Sequence, residues 1–324
     1  MVAMAIPALF FVPGGTAQAS SAPDGNTIGQ ALGTPIVLEN NETGITTAVL
    51  VRQSPTITEP GGVVDNVFTL MNTIVEFKTV SGAGGNEVYA MGDFALLESE
   101  VNPVLQQIIA YDWTVLNLHP HMKEETPKMQ MLHWQARGDL NTILTQVSEA
   151  LSLTSIGQTP PIQPQTALDG EFIANRLNGV LVNGAVADVL IPRQDDNIVS
   201  SLNPDVTLND FVMMGSGFEF MAMPGDGNMT TEGATSGNVM MMGDFALLES
   251  EVDAVEQAFL CSDLPGVTSV SVTGQHSHML EESPKIMFVH VEAQGELNQV
   301  IDLINMALDQ TTMRGNGAPA TPPC

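Results

Sequence analysis

The chain has 324 residues, 44% of them hydrophobic, and sets 37 acidic side chains against nine basic ones for a formal charge of −28. This length accommodates two ordinary domains, each able to bury a core without staples. So acidic a surface repels phosphate backbones and anionic lipid, which argues against nucleic acid and membrane surfaces as partners. With only Cys261 and Cys324 present, a disulfide framework is not expected, and Cys261 reads as a small buried apolar residue.

Residues 1–19 read as an export signal, with an apolar stretch over 3–12, helix-breaking Pro13, Gly14 and Gly15, and a small-residue cleavage pattern at Ala17-Gln18-Ala19. No Lys or Arg precedes the apolar stretch. No other run approaches the roughly 18 apolar residues of a membrane span. The mature protein is therefore expected to lack an integral membrane segment and to be secreted or periplasmic.

Strands are expected over 44–51, 67–77 and 91–97, followed by a helix over 98–110 with Val101, Val104, Leu105 and Ile108 at helical spacing. A strand over 113–122, a turn at 124–127 and a returning strand over 128–136 come next. After Gly138 a helix over 139–151 carries Leu140, Ile143, Leu144, Val147 and Leu151. The Pro-rich segment 158–167 reads as a linker. A strand is then expected over 179–191 and another over 211–223. The remaining elements repeat the earlier order at 240–248, 249–260, 267–279, 285–293 and 296–308.

That repetition is written in the residues themselves. The sequence Met-Gly-Asp-Phe-Ala-Leu-Leu-Glu-Ser-Glu-Val at 91–101 recurs unchanged at 242–252, and Arg52, Glu76 and Gly138 have counterparts in Arg193, Glu219 and Gly295. Two similar domains follow, 25–157 and 168–313, with a flexible tail over 314–324 and contact between the repeats expected. The order of strand, helix, hairpin and helix predicts an α+β fold, each domain an antiparallel sheet with helices on one face.

All six histidines fall into two triplets of one spacing, His119, His121 and His133, then His276, His278 and His290. Two imidazoles at i and i+2 on a strand share a face, and the third on the returning strand, expected opposite the first, completes a metal-sized cluster. Glu125 and Glu282 in the turn are candidate carboxylate ligands. Glu124 and Glu281 are candidate general bases acting on metal-bound water. This donor set suits a divalent transition metal, zinc or copper first. Nineteen methionines keep copper in view, although Met122 alternates to the face opposite His121 in a regular strand and Met commonly fills cores. Asp93, Glu98 and Glu100 in the repeated block read as structural, the glutamates at a helix N-terminus.

At these residues the chain resembles the LppY/LpqO-type family of exported bacterial proteins, a domain of unknown function. The likeness is carried by the Gly-Asp-Phe-Ala-Leu-Leu-x-Ser-Glu-Val block, the His-x-His-Met strand end, the Glu-x-Pro turn and the third His. It implies export and tandem domains but no reaction, and a lipid anchor is not expected because no cysteine stands at the signal cleavage site. Three functions remain open: a metal-dependent hydrolase, a copper or zinc storage or delivery protein, and a metal-free binding or scaffold module. The expected partner is accordingly a small molecule or a metal ion.

Overall fold

The computed structural model describes residues 21–52, 54–58, 68–80, 86–156, 168–183, 187–193, 197–200, 202–223, 233–280 and 282–314. The expected signal segment 1–19, the linker 158–167, Glu281 and residues 315–324 lie outside the described residues.

In the first repeat the elements run α1 (Gly25–Leu32), β1 (Ile36–Asn40), β2 (Ile45–Leu50), β3 (Thr73–Thr79), β4 (Glu87–Leu97), α2 (Glu98–Ala110), β5 (Thr114–His119), β6 (Met129–Asp139) and α3 (Leu140–Leu151). The second repeat opens with α4 (Gly170–Leu177), β7 (Val180–Asn183), β8 (Asp188–Ile191), β9 (Val199–Ser200) and β10 (Ser216–Ala222). It continues through β11 (Asn238–Leu248), α5 (Val252–Leu260), β12 (Val267–Ser277), β13 (Glu282–Ser283), β14 (Ile286–Glu296) and α6 (Leu297–Leu308). Each repeat builds a six-stranded antiparallel sheet, ordered β1-β2-β3-β4-β6-β5 and β7-β8-β10-β11-β14-β12. The fold is α+β, as the element order implied.

Alternation along the central strands decides what each face meets. On β4, Val88, Ala90, Phe94 and Leu96 share a core with α1, α2 and α3, while β11 turns Val239, Met241, Phe245 and Leu247 toward α4, α5 and α6. The alternate residues face the other repeat. Tyr89 and Met91 pack with Phe211, Met213, Ala246 and Phe288, and Met129 and Met131 pack with Met240 and Met242. The layers thus run helices, sheet, sheet, helices, with the two inner faces forming a core shared by both repeats. Gly92 and Gly243 in the repeated block lie on the helix side, where a Cβ would stand 2.3 Å from Trp134 and 2.4 Å from Phe218. The aromatic ring crosses the strand there, and only glycine leaves room.

The inner faces are joined by a reciprocal clasp. Glu76 on β3 accepts hydrogen bonds from the backbone N–H groups of Val212 (2.9 Å) and Met213 (3.0 Å) of the second repeat. Glu219 on β10 accepts from Thr69 (2.6 Å) and Leu70 (3.0 Å) of the first. In each case the donors open a short 3-10 turn, Thr69–Met71 or Val212–Met214, whose first N–H groups have no partner within the turn. Within each repeat a buried Arg–Glu pair, Arg52 with Glu100 and Arg193 with Glu251, ties the start of the chain's sheet to a helix N-terminus. Glu100 and Glu251 also accept from the N–H groups of Leu97 and Leu248.

Several elements differ from expectation for local reasons. The segment 179–191 forms two strands, with Ala187 at φ 43° at the start of the return. The helix expected from residue 249 begins at Val252, with Glu251 as its N-cap. Strand β5 ends at His119, since Pro120 has no N–H to donate to a ladder. Helices α1 and α4 are additional. Cys261 is a half-buried C-cap residue joined in a disulfide, which corrects its reading as a buried apolar thiol.

Replacing Glu219 by Ala should destabilise the protein by roughly 2–4 kcal/mol, because two backbone donors lose their acceptor. Urea denaturation of the variant reads this as a lowered midpoint, and an unchanged midpoint would show that the clasp does not hold the sheets together.

Candidate metal centre

The histidines of both repeats meet in one place. On β6 and β14 the alternation that sends Leu132, Trp134 and Val289, Val291 to the helices sends His133 and His290 inward. His119 ends β5 and His276 lies near the end of β12. The expectation that His133 faces His119 is off by one same-face step: His119 pairs with Met131 and His133 with Asn117, after a bulge between Val115 and Asn117. An even shift keeps the side chains on one face. His119 and His133 therefore still touch diagonally, Nε2 to Nε2 at 2.8 Å, and His276 and His290 do the same at 2.8 Å.

An approximate two-fold axis passes between His119 and His276, whose rings stack at 3.8 Å. Across it His121 lies 4.1 Å from His290 and His278 lies 4.5 Å from His133, centroid to centroid. The second ring of each His-x-His pair thus serves the other repeat. His121, His133, His278 and His290 are buried, whereas His119 and His276 are only partly so and form the outer rim.

Two aspartates complete the cluster. Asp93 stands opposite His133 on the neighbouring strand, and Asp244 stands opposite His290. Asp244 contacts His290 Nδ1 through Oδ1 and lies 3.5 Å from His121 Nε2 through Oδ2. The matching contact from Asp93 Oδ1 to His133 Nδ1 is looser, 3.8 Å. Two sets of donor atoms lie within 4.8 Å of one another: His119, His133 and His276, and His121, Asp244 and His290. A cavity of about 60 Å³ between the sheets is lined by Asp93, Asp244, His121, His133, His278 and His290.

The remaining expected residues stand elsewhere. Glu125 is buried and accepts from the Met129 N–H (3.2 Å) and Lys128 (3.4 Å), and Glu282 accepts from the Ile286 N–H (3.0 Å). Both close the hairpin turn, and neither belongs to the two donor sets. Glu124 is exposed. Asp93 and Asp244, which read as structural in sequence, are the site residues that sequence reasoning missed.

Protonation follows from burial. Desolvation lowers His119 to about 2, reinforced by His276, and lowers His276 to about 4 and His278 to about 3. His133 and His290 are lowered as well, again first by burial. His121 is buried too, yet Asp244 raises it. Burial pushes Asp93 up to about 7. Asp244 is equally buried, but its close contact with His290 and His121 holds it well below the usual carboxylate range. The contrast follows the two distances to the partner imidazoles.

The tautomers expose an unmet demand for positive charge. The Nδ1 atoms of His119 and His276 lie 3.0 Å from the carbonyls of Pro120 and Ser277. A carbonyl only accepts, so each Nδ1 carries the proton and each Nε2 presents a lone pair. His290 then faces acceptors with both nitrogens, His276 Nε2 on one side and Asp244 on the other, while burial opposes the second proton. A metal cation satisfies the same groups. Among the described residues the buried Nδ1 atoms of His121, His133 and His278 and Oδ1 of Asp93 have no hydrogen-bond partner. Nitrogen with a little carboxylate oxygen is the donor chemistry of zinc and copper, so the residues fit such an ion.

The sign of the pH dependence is set by the lowered values. A ring with a depressed pKa stays neutral, with its lone pair free, until the pH falls toward that value. Nitrogen-15 NMR of metal-free protein should show His276 and His278 titrating at about 4 and about 3, and His121 above 6.5. Six midpoints together near 6.5 would contradict this electrostatic picture.

No curated protein and no solved structure matches the chain. The family described as Domain of Unknown Function (DUF1259) matches residues 26–153 and again 176–310, one match over each sheet. These matches span most of the sequence, and the protein belongs to that family in two tandem copies.

Proposed function

We propose that the chain is an exported protein that binds a divalent transition metal, zinc or copper, at a composite centre between its two repeats. The observation that carries this reading is the convergence of all six histidines, three from each repeat, around buried ring nitrogens without protein partners. His119, His133 and His276 would hold the ion, with the partly exposed His119 and His276 leaving a side open to solvent. Zinc in such a position polarises a bound water or carbonyl. That open side supports metal-dependent hydrolysis of a small molecule over a closed storage or delivery site, while a metal-free scaffold role leaves the partnerless nitrogens without a purpose. Glu124 is too exposed to support its expected role as a base, so Asp93, buried beside His133, is the better proton acceptor.

Export is supported by the apolar segment with its cleavage pattern at 1–19. No helix among the described residues is long and apolar enough to cross a membrane. The Gly-Asp-Phe-Ala-Leu-Leu block and the His-x-His-Met strand end support a relation to the LppY/LpqO-type proteins.

Elemental analysis of protein purified without an affinity tag tests the reading. Stoichiometric zinc or copper is expected, and only trace metal, unchanged after reconstitution, would overturn it. Replacing His119 and His276 together by Ala should weaken zinc binding by more than the roughly 10–100-fold that loss of an outer-shell partner causes. Isothermal titration of the folded variant measures the change.

A further inference from the structure

We infer that the centre holds two ions, with the imidazole of His290 as their shared ligand, an inference that rests on reading the cluster as a metal site. The two donor sets lie on opposite sides of this ring. Toward Nε2 stand His276, at 2.8 Å, and beyond it His119 and His133. Toward Nδ1 stand Asp244 and His121. Each set offers three donors within 4.8 Å of one another, and His121, Asp244 and His290 are all buried. An ion bound tetrahedrally at about 2.0–2.1 Å spaces its donors about 3.3–3.4 Å apart. His121 Nε2 and Asp244 Oδ2 are 3.5 Å apart.

The simpler role for Asp244 is that of an orienting carboxylate, fixing His290 for a single ion on its far side. That role gives His121 no ligand function, only a place beside Asp244, its Nε2 lying 3.5 Å from Asp244 Oδ2. A second ion does. It takes His121, Asp244 and His290 Nδ1 as ligands, while His290 Nε2 turns to the ion among His119, His133 and His276. Bridging uses the imidazolate form, so the ring's remaining proton passes to solvent as the second ion binds, and no oxidation state changes. The internal symmetry repeats the layout more loosely around His133, between His119 and Asp93, with His278 alongside.

Metal-free full-length protein is loaded separately with zinc(II) and copper(II), desalted and assayed for metal per chain. At least two equivalents are expected in the wild type, and one fewer in Asp244→Asn and in His121→Gln, with circular dichroism confirming that each variant folds. In the copper form, coupling through the shared ring should leave an electron paramagnetic resonance signal below that of two isolated ions, and His290→Gln should abolish the coupling. One equivalent in the wild type, merely bound more weakly by Asp244→Asn, would overturn the second ion and leave the single-metal reading standing. No binding of either metal would remove that reading itself.

Discussion

Each repeat surrenders one buried glutamate to the other, and the centre depends on that exchange. Glu76 and Glu219 sit on strands next to those carrying Asp93 and Asp244, with Ile74 in register with Asp93 and Gly217 with Asp244. A clasp made there fixes where the two sheets lie along one another, and hence which imidazoles meet. Burial lifts Glu76 to about 7 and, together with neighbouring Asp188, lifts Glu219 well above its ordinary value, even though the backbone N–H groups that donate to them pull in the opposite direction. An alternative stacking of the sheets would part these two acids from four backbone donors. The clasp therefore selects one arrangement more than it adds stability.

Upon that arrangement the site is built from ordinary sheet geometry. Antiparallel alternation brings His133 and His290 to the shared face, the one-residue bulges in β5 and β12 bring the rim histidines onto that same face, and the chain beyond His119 and His276 carries His121 and His278 across to the opposite repeat. The methionines of the inner faces surround this polar patch with apolar side chains. Low local polarity is what keeps five of the imidazoles neutral, so the same packing that encloses the cluster also prepares its lone pairs.

Much of this was legible in the sequence. The unchanged block, the hairpin and the two long helices follow from periodicity and repetition, and the histidine spacing marks the chemistry. The aspartates were not legible, because Asp93 lies within an apolar strand where it resembles a turn residue, and its pairing with His133 depends on β4 and β6 becoming neighbours across an intervening helix and strand. Glu125 and Glu282 are the opposite case: closeness in sequence to the His-x-His pairs suggested ligation, whereas each accepts a hydrogen bond from a hairpin N–H, that of Met129 or Ile286, and stands outside the two donor sets. Helices α1 and α4, eight residues each, are too short to present a clear period. That the triplets share one centre could not be read at all, since no residue pattern states which face of a sheet will be covered by its duplicate.

The approximate two-fold axis between His119 and His276 has a consequence for how such a centre changes over time. In two identical subunits every substitution would appear on both sides at once, but in a single chain the halves are inherited independently. Divergence has already occurred around the axis: Thr47 beside Glu76 corresponds to Asp188 beside Glu219, Asn117 to Gly274, and Gln135 to Glu292. The repeat within one chain thereby gives the histidine cluster two unlike halves.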